Sequence, residues 1–206
     1  MTLFISDTHL GNKHCQADRL CELLTEYVNK EEVLFLVGDI IDDHQMKKWP
    51  SSHQYALRLM FEFKSVIYLP GNHDKFFRRL SGRFGNVYVT NRWVFETEDK
   101  KKYLIVHGDK FDFWIKYTKY ISLSWFTELS RLFEYLHTKI TSSNDSYRNR
   151  IIEECKRIDV DGVVCGHNHY AENREHLGVH YVNCGDWYNS CTAVVETRGI
   201  FRIVSY

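Results

Sequence analysis

Ser65-Val-Ile-Tyr-Leu69-Pro70-Gly71-Asn72-His73-Asp74 is an apolar run of strand length that breaks at a proline and delivers an amide and an imidazole side by side. Glycine lets the backbone take the sharp path that aims both side chains outward. Alone, the stretch reads as an ordinary turn, since Gly-Asn is a common turn pair. Its weight comes from repetition, because the same pattern of strand and then ligand recurs four more times along the chain.

Upstream, Met1 to Ser6 is a short apolar strand that ends in Asp7-Thr8-His9. A helix is predicted over Gln16 to Asn29, where Leu20, Leu23, Leu24, Tyr27 and Val28 share one face. Val33-Leu-Phe-Leu-Val37 reads as a strand buried on both faces and ends in Gly38-Asp39-Ile-Ile-Asp42. A second helix covers Ser51 to Phe63, with Ser51 or Ser52 as its cap. This β-α-β-α-β alternation implies a largely parallel sheet with right-handed crossovers.

Downstream, short strands follow at Val87–Val89, Trp93–Glu96 and Tyr103–Val106, the last ending in His107-Gly108-Asp109. Residues 111–158 read as helical, with a stripe of Phe126, Leu129, Phe133, Leu136 and Ile140. Gly162-Val-Val-Cys165 is the next strand and ends in Gly166-His167-Asn168-His169. Three more strands are expected near 179–183, 191–196 and 200–204. The simplest account is one domain over 1–206 with a helical insertion at about 111–158.

Composition limits the partners. The 206 residues carry 27 basic and 27 acidic side chains, so no global field favours nucleic acid or an anionic membrane. The basic clusters Lys47-Lys48, Arg78-Arg79 and Lys100-Lys101-Lys102 are short, as in solvated loops. No run reaches the length of a membrane span and no signal segment opens the chain, so a cytoplasmic location is expected. The six cysteines lack CxxC spacing and read as reduced thiols.

Five strands thus end in Asp7/His9, Asp39, Asn72/His73, His107 and His167/His169. In open α/β sheets such turns converge beyond the carboxyl ends of the strands. With His73 kept aside, two carboxylates, four imidazoles and one amide oxygen exceed what one tetrahedral zinc needs. They suit two divalent ions that share Asp39 as a bridge. Mixed nitrogen and oxygen donors without thiolate fit Mn²⁺, Fe or Zn²⁺ better than Ca²⁺ or Mg²⁺. Paired ions favour a phosphate oxyanion and can clamp the attacking and leaving oxygens of a displacement.

Together Asp7-x-His9, Gly38-Asp39, Gly71-Asn72-His73-Asp74, His107-Gly108-Asp109 and Gly166-His167-Asn168-His169 resemble the calcineurin-like metallophosphoesterase signature in its usual order. The resemblance implies a four-layer α/β/β/α sandwich. It implies one divalent ion on Asp7, His9, Asp39 and His169, and a second on Asp39, Asn72, His107 and His167, with manganese the expected metal and iron or zinc the alternatives. His73 would contact the scissile phosphate or help the leaving group, and Asp74 would orient it. Leu36–Asp42, His107–Asp112, Val163–His167, Asn183–Trp187 and Ser190–Glu196 look like the UDP-2,3-diacylglucosamine diphosphatase group, which releases UMP and a lipid phosphate. The well-characterised branch of that group has arginine where this chain has His73, so the chain is similar to the branch that keeps histidine.

Phe111, Phe113, Trp114, Tyr117, Tyr120, Trp125 and Phe126 crowd the start of the insertion, interleaved with Lys110, Lys116 and Lys119. They read either as a cap for acyl chains or a base, or as packing against the sheet or a partner subunit. The same density leaves peripheral membrane contact through 111–136 and homo-oligomer formation open as alternatives. Arg78 and Arg79 are the candidates for steadying a second phosphate. The expected substrate is a phosphate ester or nucleotide-sugar lipid. The alternatives are a phosphoprotein, cyclic nucleotide or dinucleotide, and a non-catalytic scaffold.

Overall fold

A period of two decides what each early strand faces. In β1 (Thr2–Ile5), Leu3 and Ile5 point to one side and Phe4 to the other. Strand β2 (Val33–Leu36) repeats this with Leu34 and Leu36 against Phe35, and β3 (Ser65–Tyr68) with Val66 and Tyr68 against Ile67. On the first side lie α1 (Ala17–Tyr27), through Leu20, Leu23 and Leu24, and α2 (Ser51–Glu62), through Ala56, Leu59 and Met60. The computed structural model describes residues 1–29, 33–42, 48–112 and 145–206. The predicted stripe from Phe126 to Ile140 and the aromatic residues from Phe113 to Phe126 lie outside them.

Strands β4 (Gly82–Phe84), β5 (Val87–Val89), β11 (Thr192–Thr197) and β12 (Ile200–Ser205) complete the first sheet. Its order is β12-β11-β1-β2-β3-β5-β4. β1, β2, β3 and β5 run parallel, while β4, β11 and β12 pair antiparallel. The second sheet takes β6 (Trp93–Glu96), β7 (Lys102–Ile105), β8 (Gly162–Cys165), β9 (Glu172–His176) and β10 (Val179–Asn183), in the order β6-β7-β8-β10-β9. Between the sheets sits a core of Phe4, Phe35, Ile67, Tyr103, Ile105, Val164, Val182 and Phe201. Phe4 stacks on Phe35 at 4.8 Å, and the Phe95 ring meets both edge-on. Helix α3 (Asp145–Arg157) covers the outer face of the second sheet with Tyr147, Ile151, Ile152 and Cys155. The layers are therefore α/β/β/α, as the family resemblance implies.

Three expectations need correction. The sheet is mixed rather than largely parallel, because its edges are closed by antiparallel strands. Pro50, with its preset φ, stands at the cap of α2, and no side chain caps that helix. β4 and β9 were not expected, since Gly-Arg-Phe and Glu-Asn-Arg-Glu-His carry no apolar alternation. Both are edge strands held by backbone pairing to β5 and β10, so their side chains need no buried pattern.

Candidate metal centre

The carboxyl ends of β1, β2, β3, β7 and β8 open onto one region, three from the first sheet and two from the second. Backbone bonds stitch the loops together: Asp7 N–H to Gly38 O at 2.9 Å, His9 N–H to Asp39 O at 3.0 Å and Gly166 N–H to His107 O at 3.0 Å. Asp7, His9, Asp39, His167 and His169 all adopt positive φ, between 47° and 74°. L-residues seldom stay in that region unless the surroundings hold them there. Two glycines make room. Gly71 passes so close to Asp39 that a Cβ would collide with its Oδ1, and Gly38, at φ +87°, would drive a Cβ into the His107 ring.

Asp7, His9 and His169 form the first cluster, with one ligand atom of each within 4.8 Å of the others. His169 Nε2 lies 3.2 Å from Asp7 Oδ1 and 3.4 Å from His9 Nε2. Asp7 Oδ2 accepts the His167 backbone N–H at 2.9 Å, which fixes the carboxylate. The Tyr188 ring stacks on His9, centroids 4.9 Å apart. Asp186 holds that tyrosine by accepting its backbone N–H at 2.6 Å.

Asp39, His107 and His167 form the second cluster. His107 Nε2 faces Asp39 Oδ2 at 3.2 Å and Asn72 Oδ1 at 3.3 Å. Its other nitrogen, Nδ1, donates to Val37 O at 2.9 Å, which commits Nε2 to the cluster. Asp39 Oδ1 accepts the His73 backbone N–H at 2.8 Å. His167 packs between His107, at 5.2 Å between centroids, and Tyr147, at 5.8 Å.

Around these clusters the structure departs from expectation. Asp74 does not serve as the orienter of His73. Its Oδ2 accepts from Ile40 N–H at 2.8 Å and from the Tyr68 hydroxyl at 2.5 Å, and its Oδ1 accepts Gly71 N–H. The carboxylate facing the His73 ring is Asp42, at 3.6 Å from Nδ1, which also lies 3.8 Å from His9 Nδ1 and accepts from Asn12 Nδ2 at 3.1 Å. Asp42 was given no role from sequence. The repeat of a carboxylate three residues after Asp39 was the available signal. Arg78 has two of its five guanidinium donors engaged, with Asp109 Oδ1 at 2.7 Å and Pro70 O at 3.0 Å. Arg79 is exposed at the end of the 3₁₀ turn Lys75–Arg79.

Charge explains why these groups tolerate burial. Desolvation pushes the Asp7 carboxyl up, but the His169 and His107 rings outweigh it and hold it at about 2. Asp39 is likewise held well below the usual carboxylate range against its burial, chiefly by His107. Burial alone would discharge His107, yet Asp39 and Asp7 raise it to about 10. The buried carboxylates thus demand positive charge, and a divalent cation that supplied it would release imidazole protons. Asp7 Oδ1 is fully buried without a formed hydrogen bond, although two imidazole nitrogens face it. An oxygen left so, among convergent nitrogen donors, fits a metal ligand.

Buried imidazoles and carboxylates gathered at the strand ends of two packed sheets define a divalent-metal centre. The chain belongs to the calcineurin-like phosphoesterase family, whose model matches residues 1–171. That membership supports metal-dependent phosphoester hydrolysis. No curated protein matches the chain in sequence. Among solved structures, it is similar to the phosphoesterase YfcE of E. coli, with 14% identity and a TM-score of 0.56 over 99% of this chain and 92% of that one. An archaeal phosphodiesterase shares 15% identity at a TM-score of 0.51, over 98% of both chains. Vps29 of Cryptosporidium parvum shares 16% identity at a TM-score of 0.53, over 98% of this chain and 94% of that one. At such identities the likeness is one of fold. Among the described residues no helix is long and apolar enough to cross a membrane.

Proposed function

We propose that the chain hydrolyses a phosphodiester or pyrophosphate bond at a dinuclear centre. Asp7, His9 and His169 would hold one divalent ion, Asn72, His107 and His167 the other, with Asp39 shared between them. The observation that carries this reading is the pair of largely buried clusters, one built on Asp7 and the other on Asp39, delivered by four strand ends, with Asn72 from a fifth beside His107. The ions, manganese by preference or else iron or zinc, would supply Lewis acidity toward phosphate oxygens and water of lowered pKa. His107 and Asp7 are oriented by backbone partners, so their donor atoms stay turned inward. His73 would be the imidazole that meets a phosphate or hands a proton to the leaving oxygen, a reading supported by its side chain being 35% exposed and beside Asp42.

The proposed substrate is a nucleotide-linked diacyl sugar of the UDP-2,3-diacylglucosamine type, cleaved to UMP and a lipid sugar phosphate. Its support is the resemblance around Leu36–Asp42, His107–Asp112 and Asn183–Trp187. The test is UMP release from that lipid by manganese-loaded protein, with a chromogenic phosphodiester and a monoester alongside. UMP release establishes the lipid substrate. Cleavage of the diester alone keeps the chemistry and rejects the lipid, and cleavage of the monoester alone makes the protein a phosphatase. No hydrolysis of any of the three, by protein that binds metal, favours a scaffold.

A further inference from the structure

His167 carries a second contact that the donor set leaves unexplained. Its Nε2 lies 3.1 Å from Oδ2 of Asp112, and both side chains are nearly closed to solvent, 6% and 2% exposed. A carboxylate oxygen at that distance is an acceptor, so Nε2 must carry the proton. In a neutral imidazole the lone pair then sits on Nδ1. We infer that Asp112 is the positioning residue of the second cluster: by holding the proton on Nε2 it makes Nδ1 of His167 the metal-ligating atom. The inference rests on the metal-centre reading and adds a residue to it.

The surroundings suit such a role. His107 is fixed in the opposite sense, with Nδ1 tied to Val37 O and Nε2 turned inward. On this inference the two imidazoles of the cluster present different nitrogens, each selected by the oxygen that its other nitrogen bonds. Asp112 follows the 3₁₀ turn Asp109–Phe111 directly, and its backbone N–H bonds Asp109 O at 3.2 Å. Arg150 of α3 donates to Phe111 O at 2.5 Å, which ties this turn to the helix that also brings Tyr147 against His167. The carboxylate is thus built on a short anchored turn, as a group that must orient another requires.

The experiment compares wild type, Asp112→Ala and Asp112→Asn by Mn²⁺ titration, with ¹⁵N-histidine NMR of the zinc-loaded protein to read the tautomer of His167. Wild type should bind two ions and show a protonated Nε2 on His167. Asp112→Ala should weaken one ion by roughly 10–100-fold and leave the other unchanged. Asp112→Asn keeps an oxygen acceptor and should lose less, which separates orientation from a general fault in folding. Two ions bound with unchanged affinity in Asp112→Ala, or a bare Nε2 in wild type, would overturn the inference while leaving the metal centre in place. A wild type that takes up no ion overturns both.

Discussion

Backbone strain falls heavily on the proposed ligands, which make up half of the non-glycine residues at positive φ among the described residues. Five of the seven proposed donors sit at positive φ although none is glycine, and a left-handed L-residue costs about 1–2 kcal/mol. His169, at φ 57°, is the most accessible of the five for a test, because its side chain is 21% exposed. His169→Ala removes the imidazole and keeps the strained backbone, whereas His169→Gly removes both. With chelator present, the glycine variant should be more stable than the alanine variant by about 1 kcal/mol in denaturant unfolding. Alanine equal to or better than glycine would mean that the turn holds no strain at this position. That aspartate, asparagine and histidine gather at strand ends was readable in the string, since those residue types announce their chemistry. Their conformation was not, and neither were the contacts of Asp42 and Asp112. Asp112 meets His167 across 55 positions, a contact no local pattern encodes.

Turns and helices place those residues. The stretch from Ser65 to Asp74 could be read as strand, break and turn because apolar period and glycine are local signals. What Gly71 is for could not, because the atom it avoids belongs to Asp39 on another turn. Gly71→Ala should push Asp39 aside, cost about 1–3 kcal/mol as an overpacked site, and weaken metal binding at least tenfold while the fold persists. Retained affinity, measured by metal titration, would show that Asp39 can yield without cost. Helix α2 makes a different contribution through His53, whose buried Nδ1 accepts the Gly11 N–H at 3.0 Å. Burial holds this ring below its ordinary pKa of 6.5. A depressed histidine takes up its proton more readily in the unfolded chain, so its contribution is complete above about pH 6.5 and is lost as the pH falls toward the folded value. His53→Asn keeps an acceptor and does not titrate. Between pH 7 and 5.5 the wild type should therefore lose more unfolding free energy than the variant, and parallel curves would remove His53 from the account.

At the scale of the molecule, the site is a product of two sheets. β1, β2 and β3 deliver Asp7, His9, Asp39 and Asn72, while β7 and β8 deliver His107, His167 and His169, so the distance between clusters depends on how the sheets are seated. Both clusters draw on both sheets: His169 meets Asp7, and His107 meets Asp39. The sheets are seated by the aromatic core around Phe4, Phe35 and Phe95, whereas the core under α1 and α2 touches the first sheet alone. Two truncations of similar stability cost should therefore part company at the metal. Phe35→Ala should cost about 3–5 kcal/mol and Leu24→Ala about 2–5 kcal/mol. Only the first opens space between the sheets, so it alone should weaken metal binding, by several-fold, at temperatures where both variants remain folded. Metal titration beside denaturant unfolding checks this. Equal losses of affinity in the two variants would mean that the loop contacts at the strand ends, and not the inter-sheet core, set the separation of the donors.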